Sequence, residues 1–204
     1  MSPSTTDLLP AARRWAQTLV RAVAALAIAG LTLTGCGSTT APPQAPQLRT
    51  NELADAGGEP CPLEATVEGA GREEAPDEEP YFLEPHEAWV CKYELGESGW
   101  ALAGQPQPVD EATLSRLHEA LQDLEPAAPD RACTEELGPQ WLVVSSHDGD
   151  LTGVLINDFG CRDVRLTDDP HTTPAGAPHQ EGTVGGVFAG GSEILDALDV
   201  DRSR

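Results

Sequence analysis

Apolar and polar positions along this 204-residue chain change period several times, and each change marks an element. Ala22 to Thr34 is continuously small or apolar. Near Glu87 the period drops to two: Trp89, Cys91, Tyr93 and Leu95 alternate with polar or small neighbours, which predicts a half-buried strand. Gly96-Glu97-Ser98-Gly99 reads as a turn and Trp100 to Ala103 as the returning strand. Leu114, Leu117, Leu121 and Leu124 then recur at helical spacing, so Glu111 to Leu124 is predicted as a helix with one narrow apolar stripe. Asp110 suits its N-cap and Pro126 its stop. Trp141 to Ser146 and Leu151 to Val164 read as strands joined at His147-Asp148-Gly149-Asp150. Asp-Gly between two β-rich runs favours a tight hairpin, because glycine accepts positive φ. Ser192 is the expected cap of a short helix running to Leu198.

Hairpin, helix, hairpin assembles most economically as an α+β fold, a small antiparallel sheet of two hairpins packed against one amphipathic helix. On this reading residues 61–166 form the ordered domain, and 167–204 is a Pro/Gly-rich tail with a short C-terminal helix. Residues 36–60 hold Ala41-Pro42-Pro43-Gln44-Ala45-Pro46 and almost no large apolar side chains, the composition of a disordered tether. A coil of that length reaches about 25–30 Å. Glu68 to Pro80, rich in Glu, Asp and Pro, reads as a second weakly structured stretch.

The apolar run at Ala22 has its own meaning. As a helix it rises only about 20 Å, short of the ~30 Å hydrocarbon core, and Arg21 blocks its extension backwards. Arg13, Arg14 and Arg21 precede it, and Leu33-Thr34-Gly35-Cys36 follows it. Residues 1–35 therefore read as a lipoprotein signal peptide, with Cys36 as the acylated new N-terminus. The bacterial lipoprotein pathway, which this segment resembles, adds a diacylglycerol thioether and so supplies the two chains that stable anchoring needs. The expected location is the extracytoplasmic face of the cell membrane. Arg13-Arg14-Trp15 leaves a twin-arginine export route open beside the general one.

With Cys36 assigned to lipid, four of the five cysteines remain: Cys61, Cys91, Cys133 and Cys161. In an oxidising compartment they imply two disulfides, with three possible pairings. Cys133 precedes, and Cys161 ends, the second predicted hairpin, which places them together and leaves Cys61 for Cys91. No Cys-x-x-Cys occurs to mark a redox or zinc site.

Charge narrows the partners. The whole chain carries 12 basic and 34 acidic residues. Removing the leader's three arginines and Asp7 leaves 9 against 33, a formal charge of −24. Such a domain repels phosphate backbones, so nucleic acid is not an expected partner; a basic protein or a cation is.

Cys61, Val90-Cys91-Lys92-Tyr93, the leucine-striped helix, Cys133 and Phe159-Gly160-Cys161 together resemble a group of actinobacterial secreted and lipid-anchored proteins. Those carry Val-Cys-x-Tyr and Gly-Cys at similar places. The resemblance implies the compartment and the disulfide framework, and no catalytic residues. The stretch from Cys133 to Cys161, with Asp-Gly between, also resembles the subtilisin-inhibitor family, but that family's reactive-site loop has no counterpart here.

Other motifs weigh less. Ser145-Ser146-His147-Asp148 holds the letters of a hydrolase triad, yet successive strand residues point to opposite faces. Asp168, Asp169, His171 and His179 are metal-ligand types without a site's spacing. The acidic cluster Glu73, Glu74, Asp77, Glu78 and Glu79 lacks the geometry of a calcium loop. The five glycines of residues 182–191 lack a phosphate loop's Gly-Lys ending. Trp89, Trp100 and Trp141, lying in predicted strands, are expected in the core. The expected function is a non-enzymatic binding or interaction domain without metal or cofactor; a hydrolase, then a protease inhibitor, are the alternatives.

Overall fold

The computed structural model describes residues 51–67, 76, 78–134 and 136–200. The expected leader, Cys36, the tether up to residue 50, and Glu73, Glu74 and Asp77 of the acidic cluster lie outside the described residues.

In chain order the elements are α1 (Glu52–Asp55), β1 (Glu64–Ala65), β2 (Glu87–Leu95), β3 (Trp100–Leu102), β4 (Gln107–Pro108) and α2 (Glu111–Gln122). There follow β5 (Glu125–Pro126), β6 (Gln140–His147), β7 (Asp150–Asn157), β8 (Val164–Thr167), β9 (Phe188–Ala189) and α3 (Gly191–Ala197). The strands form one nine-stranded antiparallel sheet in the order β1-β3-β2-β6-β7-β8-β9-β5, with β4 joined to β2 at Trp89 and Val90. The two expected hairpins, β2–β3 and β6–β7, make up its middle. The sheet is therefore larger than two hairpins. The single expected strand from Leu151 to Val164 is two, because the chain turns at residues 158–163 and returns antiparallel as β8.

Local signals act where the sequence places them. Asp148 and Gly149 adopt φ of 57° and 90° and close a two-residue turn between the paired His147 and Asp150. Asp110 caps α2: its Oδ1 accepts from the Thr113 amide at 3.0 Å and its Oδ2 from the Thr113 hydroxyl at 3.1 Å. The amide bond first, then the hydroxyl bond, hold this carboxyl below the usual carboxylate range. Ser192, however, does not cap α3. Gly190 occupies that position at φ 114°, and Ser192 Oγ accepts from Arg162 Nη1.

Burial departs from the half-buried expectation. Gln140–Val144 are buried without a break, and so are Gly153–Ile156, so the middle strands are covered on both faces. One face carries Ala88, Val90, Trp141, Val143, Val154, Ile156, Val164 and Leu166, packed under Leu117, Leu121 and Leu124 of α2 and Ile194 and Leu195 of α3. The other carries Cys91, Tyr93, Leu142, Val144, Leu151 and Leu155 beneath the single-turn α1 and largely irregular chain. Leu53, Val67 and Ala175 pack there. Hydrogen bonds hold this irregular cover, from Leu53 N to Gly149 O, from Leu151 N to Glu52 Oε2 and from Ala175 N to Thr66 O.

Two expected boundaries move as a result. Residues 51–60 belong to the domain rather than to a tether. The expected Pro/Gly-rich tail from residue 167, with its short C-terminal helix, contributes to the core through Phe188, Ile194 and Leu195, which are fully buried. Arg116 of α2 also donates to the Ala197 carbonyl, tying α2 to the C-terminal turn of α3. Disulfides join Cys61 to Cys91 and Cys133 to Cys161, with Cα separations of 6.3 and 5.0 Å. Beside the first bridge, the buried Tyr93 hydroxyl donates to the Pro62 carbonyl at 2.7 Å, and burial lifts that phenol well above its ordinary pKa.

Candidate functional site

At one end of the loop-covered face, among the described residues, a cleft of about 560 Å³ opens over the sheet. That volume is typical of small-molecule sites. Its floor follows from strand register. Gln140 pairs with Asn157 at the ends of β6 and β7, and Arg165 pairs with Leu155, so all three project to the loop-covered side. The walls are Trp100 from β3, Val67, Thr134, residues 136–138 and Phe159-Gly160-Cys161. The Cys133–Cys161 bridge fixes the two loops that form the rim. Gly138 is required there: a β-carbon on it would fall within the Phe159 ring.

The polar groups of the floor are held by one another. Gln140 Nε2 donates to Asn157 Oδ1 at 3.0 Å. Asp163 stands between two guanidinium groups, with Arg131 Nη2 at 2.5 Å from Oδ1 and Arg165 Nη2 at 3.5 Å from Oδ2. All three side chains are no more than 15% exposed, so the pairing operates with little solvent screening. Gln140 is only 6% exposed, and its fully buried Oε1 accepts no hydrogen bond from the described residues. Asp163→Asn, which leaves two arginines facing each other, is expected to cost about 2 kcal/mol of stability in urea titration. An unchanged midpoint would mean that this carboxylate does not order the floor.

A second hollow, of about 430 Å³, lies beside Lys92, Asp110, Thr113 and Trp141. Its polar groups serve the fold: Asp110 caps α2, Lys92 pairs with Glu94 at 2.9 Å, and Trp141 Nε1 donates to Asp158 at 3.2 Å.

The residues singled out by sequence separate in three dimensions. Trp100 lines the first cleft, Trp141 is buried under the helices, and Trp89 packs on the loop-covered side. Ser145 donates to Thr152 O, and His147 lies against His86 with ring centroids 4.4 Å apart and Nδ1 3.3 Å from Glu84 O. No triad geometry connects them. Asp169 accepts from the His171 amide and the Thr172 hydroxyl, while Asp168 accepts from the Glu181 amide. Among the described residues no group of three or more His, Cys, Asp or Glu is arranged to hold a metal ion. Cys133 and Cys161 line the cleft as a disulfide.

Gln140, Asn157, Asp163 and Arg165 were not evident as a site from sequence alone. One signal existed: Asp163, Arg165 and Thr167 alternate with Val164 and Leu166, which sets a polar row on one side of β8. Comparison with protein-family models, curated proteins and solved structures returns no match to this chain.

Proposed function

We propose that this protein is a lipid-anchored envelope protein, tethered through Cys36 on the extracytoplasmic face, whose domain is a non-enzymatic binding module that takes its ligand in the Trp100–Arg165 cleft. The charge and apolar pattern of residues 1–35, the Leu33-Thr34-Gly35-Cys36 segment and the paired cysteines support the location. The observation that carries the binding role is how the cleft spends its polar groups. Gln140 is tied to Asn157 and Asp163 to two arginines, an arrangement that orients hydrogen-bonding groups without joining a nucleophile to a base. The cleft's two sulfurs are bonded to each other and cannot attack a substrate.

Two experiments test the halves of this reading separately. Cys36→Ala is expected to move the protein from the detergent phase to the aqueous phase in Triton X-114 partition, with loss of the diacylglyceryl mass from the native chain. A wild-type chain that is itself aqueous would overturn the anchor. For the cleft, a photo-crosslinking phenylalanine analogue at Leu137, which is 72% exposed and lines the rim, is expected to capture a cellular ligand. The same group at Tyr81, 76% exposed and away from the cleft lining, is expected to capture none. Equal adducts from both positions, or none from Leu137, would refute the cleft as the binding site.

A further inference from the structure

We infer that His86 and His147 form a surface site for a divalent late transition-metal ion, copper(II) foremost. The pair lies at the turn end of the β6–β7 hairpin, whereas the cleft lies at the other end beside Gln140 and Asn157. The inference depends on neither the cleft nor the anchor. His147 is the last residue of β6 and pairs with Asp150 across the turn. His86 stands just before β2, whose first residue Glu87 pairs with Ser146. Sheet register therefore brings together imidazoles from two distant segments, with ring centroids 4.4 Å apart and planes tilted by 35°. Two imidazoles bound side by side on one ion, each nitrogen about 2 Å from it, hold their ring centres about 4–5 Å apart. The observed separation fits a shared ion.

The second observation is which nitrogen each ring keeps for a ligand. His147 Nδ1 lies 3.3 Å from the Glu84 carbonyl oxygen, and His86 Nδ1 lies 3.7 Å from Asp148 Oδ1. The first contact is a hydrogen bond and the second is electrostatic. An oxygen acceptor beside Nδ1 favours the tautomer protonated there, which leaves the Nε2 lone pair for a metal. A carbonyl or carboxylate behind the ring is also what steadies metal-ligating histidines and raises their basicity.

The donor set selects the ion. Only two side-chain donors meet here, so water completes the coordination, and a closed four-ligand zinc site is not built. Imidazole suits late first-row ions; among these copper(II) binds a given site most strongly and accepts nitrogen and oxygen in a square plane. Calcium and magnesium require oxygen ligands and gain nothing from the rings. Asp148 and Asp150 flank the pair in a chain of 34 acidic and 12 basic residues, a field that draws cations. His86 is 60% exposed, so the ion exchanges directly with solvent.

The test is titration of the full-length chain with copper(II) sulfate in a non-coordinating buffer, its free thiols capped with N-ethylmaleimide, followed by electron paramagnetic resonance. One ion per chain with two nitrogen ligands is expected. His86→Asn and His147→Asn are each expected to weaken binding at least about tenfold and to leave one nitrogen in the spectrum. His179→Asn removes an exposed histidine outside the pair, at a φ of 61° that asparagine tolerates, and is expected to change nothing. Urea midpoints equal to wild type would show that the variants fold; His86→Asn, at an exposed position, decides if His147→Asn does not. Binding that survives both pair substitutions, or that about ten equivalents of calcium displace, would assign the copper to the acidic surface and overturn the site. So would the absence of saturable binding below about 100 μM copper.

Discussion

Replacing Cys61 and Cys91 together by alanine is expected to lower the unfolding free energy by about 3.5 kcal/mol, from the chain entropy released when a crosslink of this span is removed. The span is 30 residues. Its structural consequence is larger than the loop length implies, because this bridge fastens the irregular cover to the sheet. Cys91 is fully buried in β2 and Cys61 nearly so, next to the Tyr93–Pro62 hydrogen bond. Without the crosslink, residues 51–67 are held to that face by small apolar contacts such as Leu53, Ala65 and Val67. Small domains commonly have ~5–15 kcal/mol in total, so the loss is a large fraction. Equilibrium urea unfolding followed by tryptophan fluorescence should show a lower midpoint and a steeper slope, since the unlinked unfolded chain exposes more surface. A loss under about 1 kcal/mol would mean that the cover docks without this bridge.

Phe188→Ala is the second large effect, with an expected loss of about 3–5 kcal/mol. Phe188 lies between β8 and β5 in the sheet and has no exposed surface, in contact with the cluster beneath both helices. Removing its ring opens a cavity that Val164, Leu124 and Leu195 cannot all collapse into, and the cost adds to the lost transfer free energy. Leu63→Ala, at a side chain 80% exposed, is the control and should change stability by no more than about 0.5 kcal/mol. If Phe188→Ala matched that control, residues 167–200 would be a tail after all.

The hairpin turn at Asp148-Gly149, the N-cap at Asp110 and the leucine stripe of α2 were all legible along the chain. Each depends on residues within about four positions of one another, where hydrogen bonding and steric limits on φ act directly. The stripe also declared what it would bury, and Leu117 and Leu121 lie in the core beneath it. The number of strands was not legible. β1, β4, β5 and β9 are two residues long, too short for any period to register. The row Asp163, Arg165 and Thr167 was written in the sequence, but its meaning depended on Asn157 and Gln140 lying beside it in other strands.

The amino-acid order alone set which segments turn, coil into α2 or extend, since those choices are made between near neighbours. It also carried the charge and apolar pattern of residues 1–36 on which the proposed lipid anchor rests. Only the tertiary structure decided that the Pro/Gly-rich stretches cover a sheet face, because they lack apolar periodicity and dock through a few small side chains and backbone hydrogen bonds. The same assembly places the cleft, a gap among the described residues lined by Val67, Trp100 and Arg165. That gap is set by where distant chain segments meet, which no local stretch of sequence encodes.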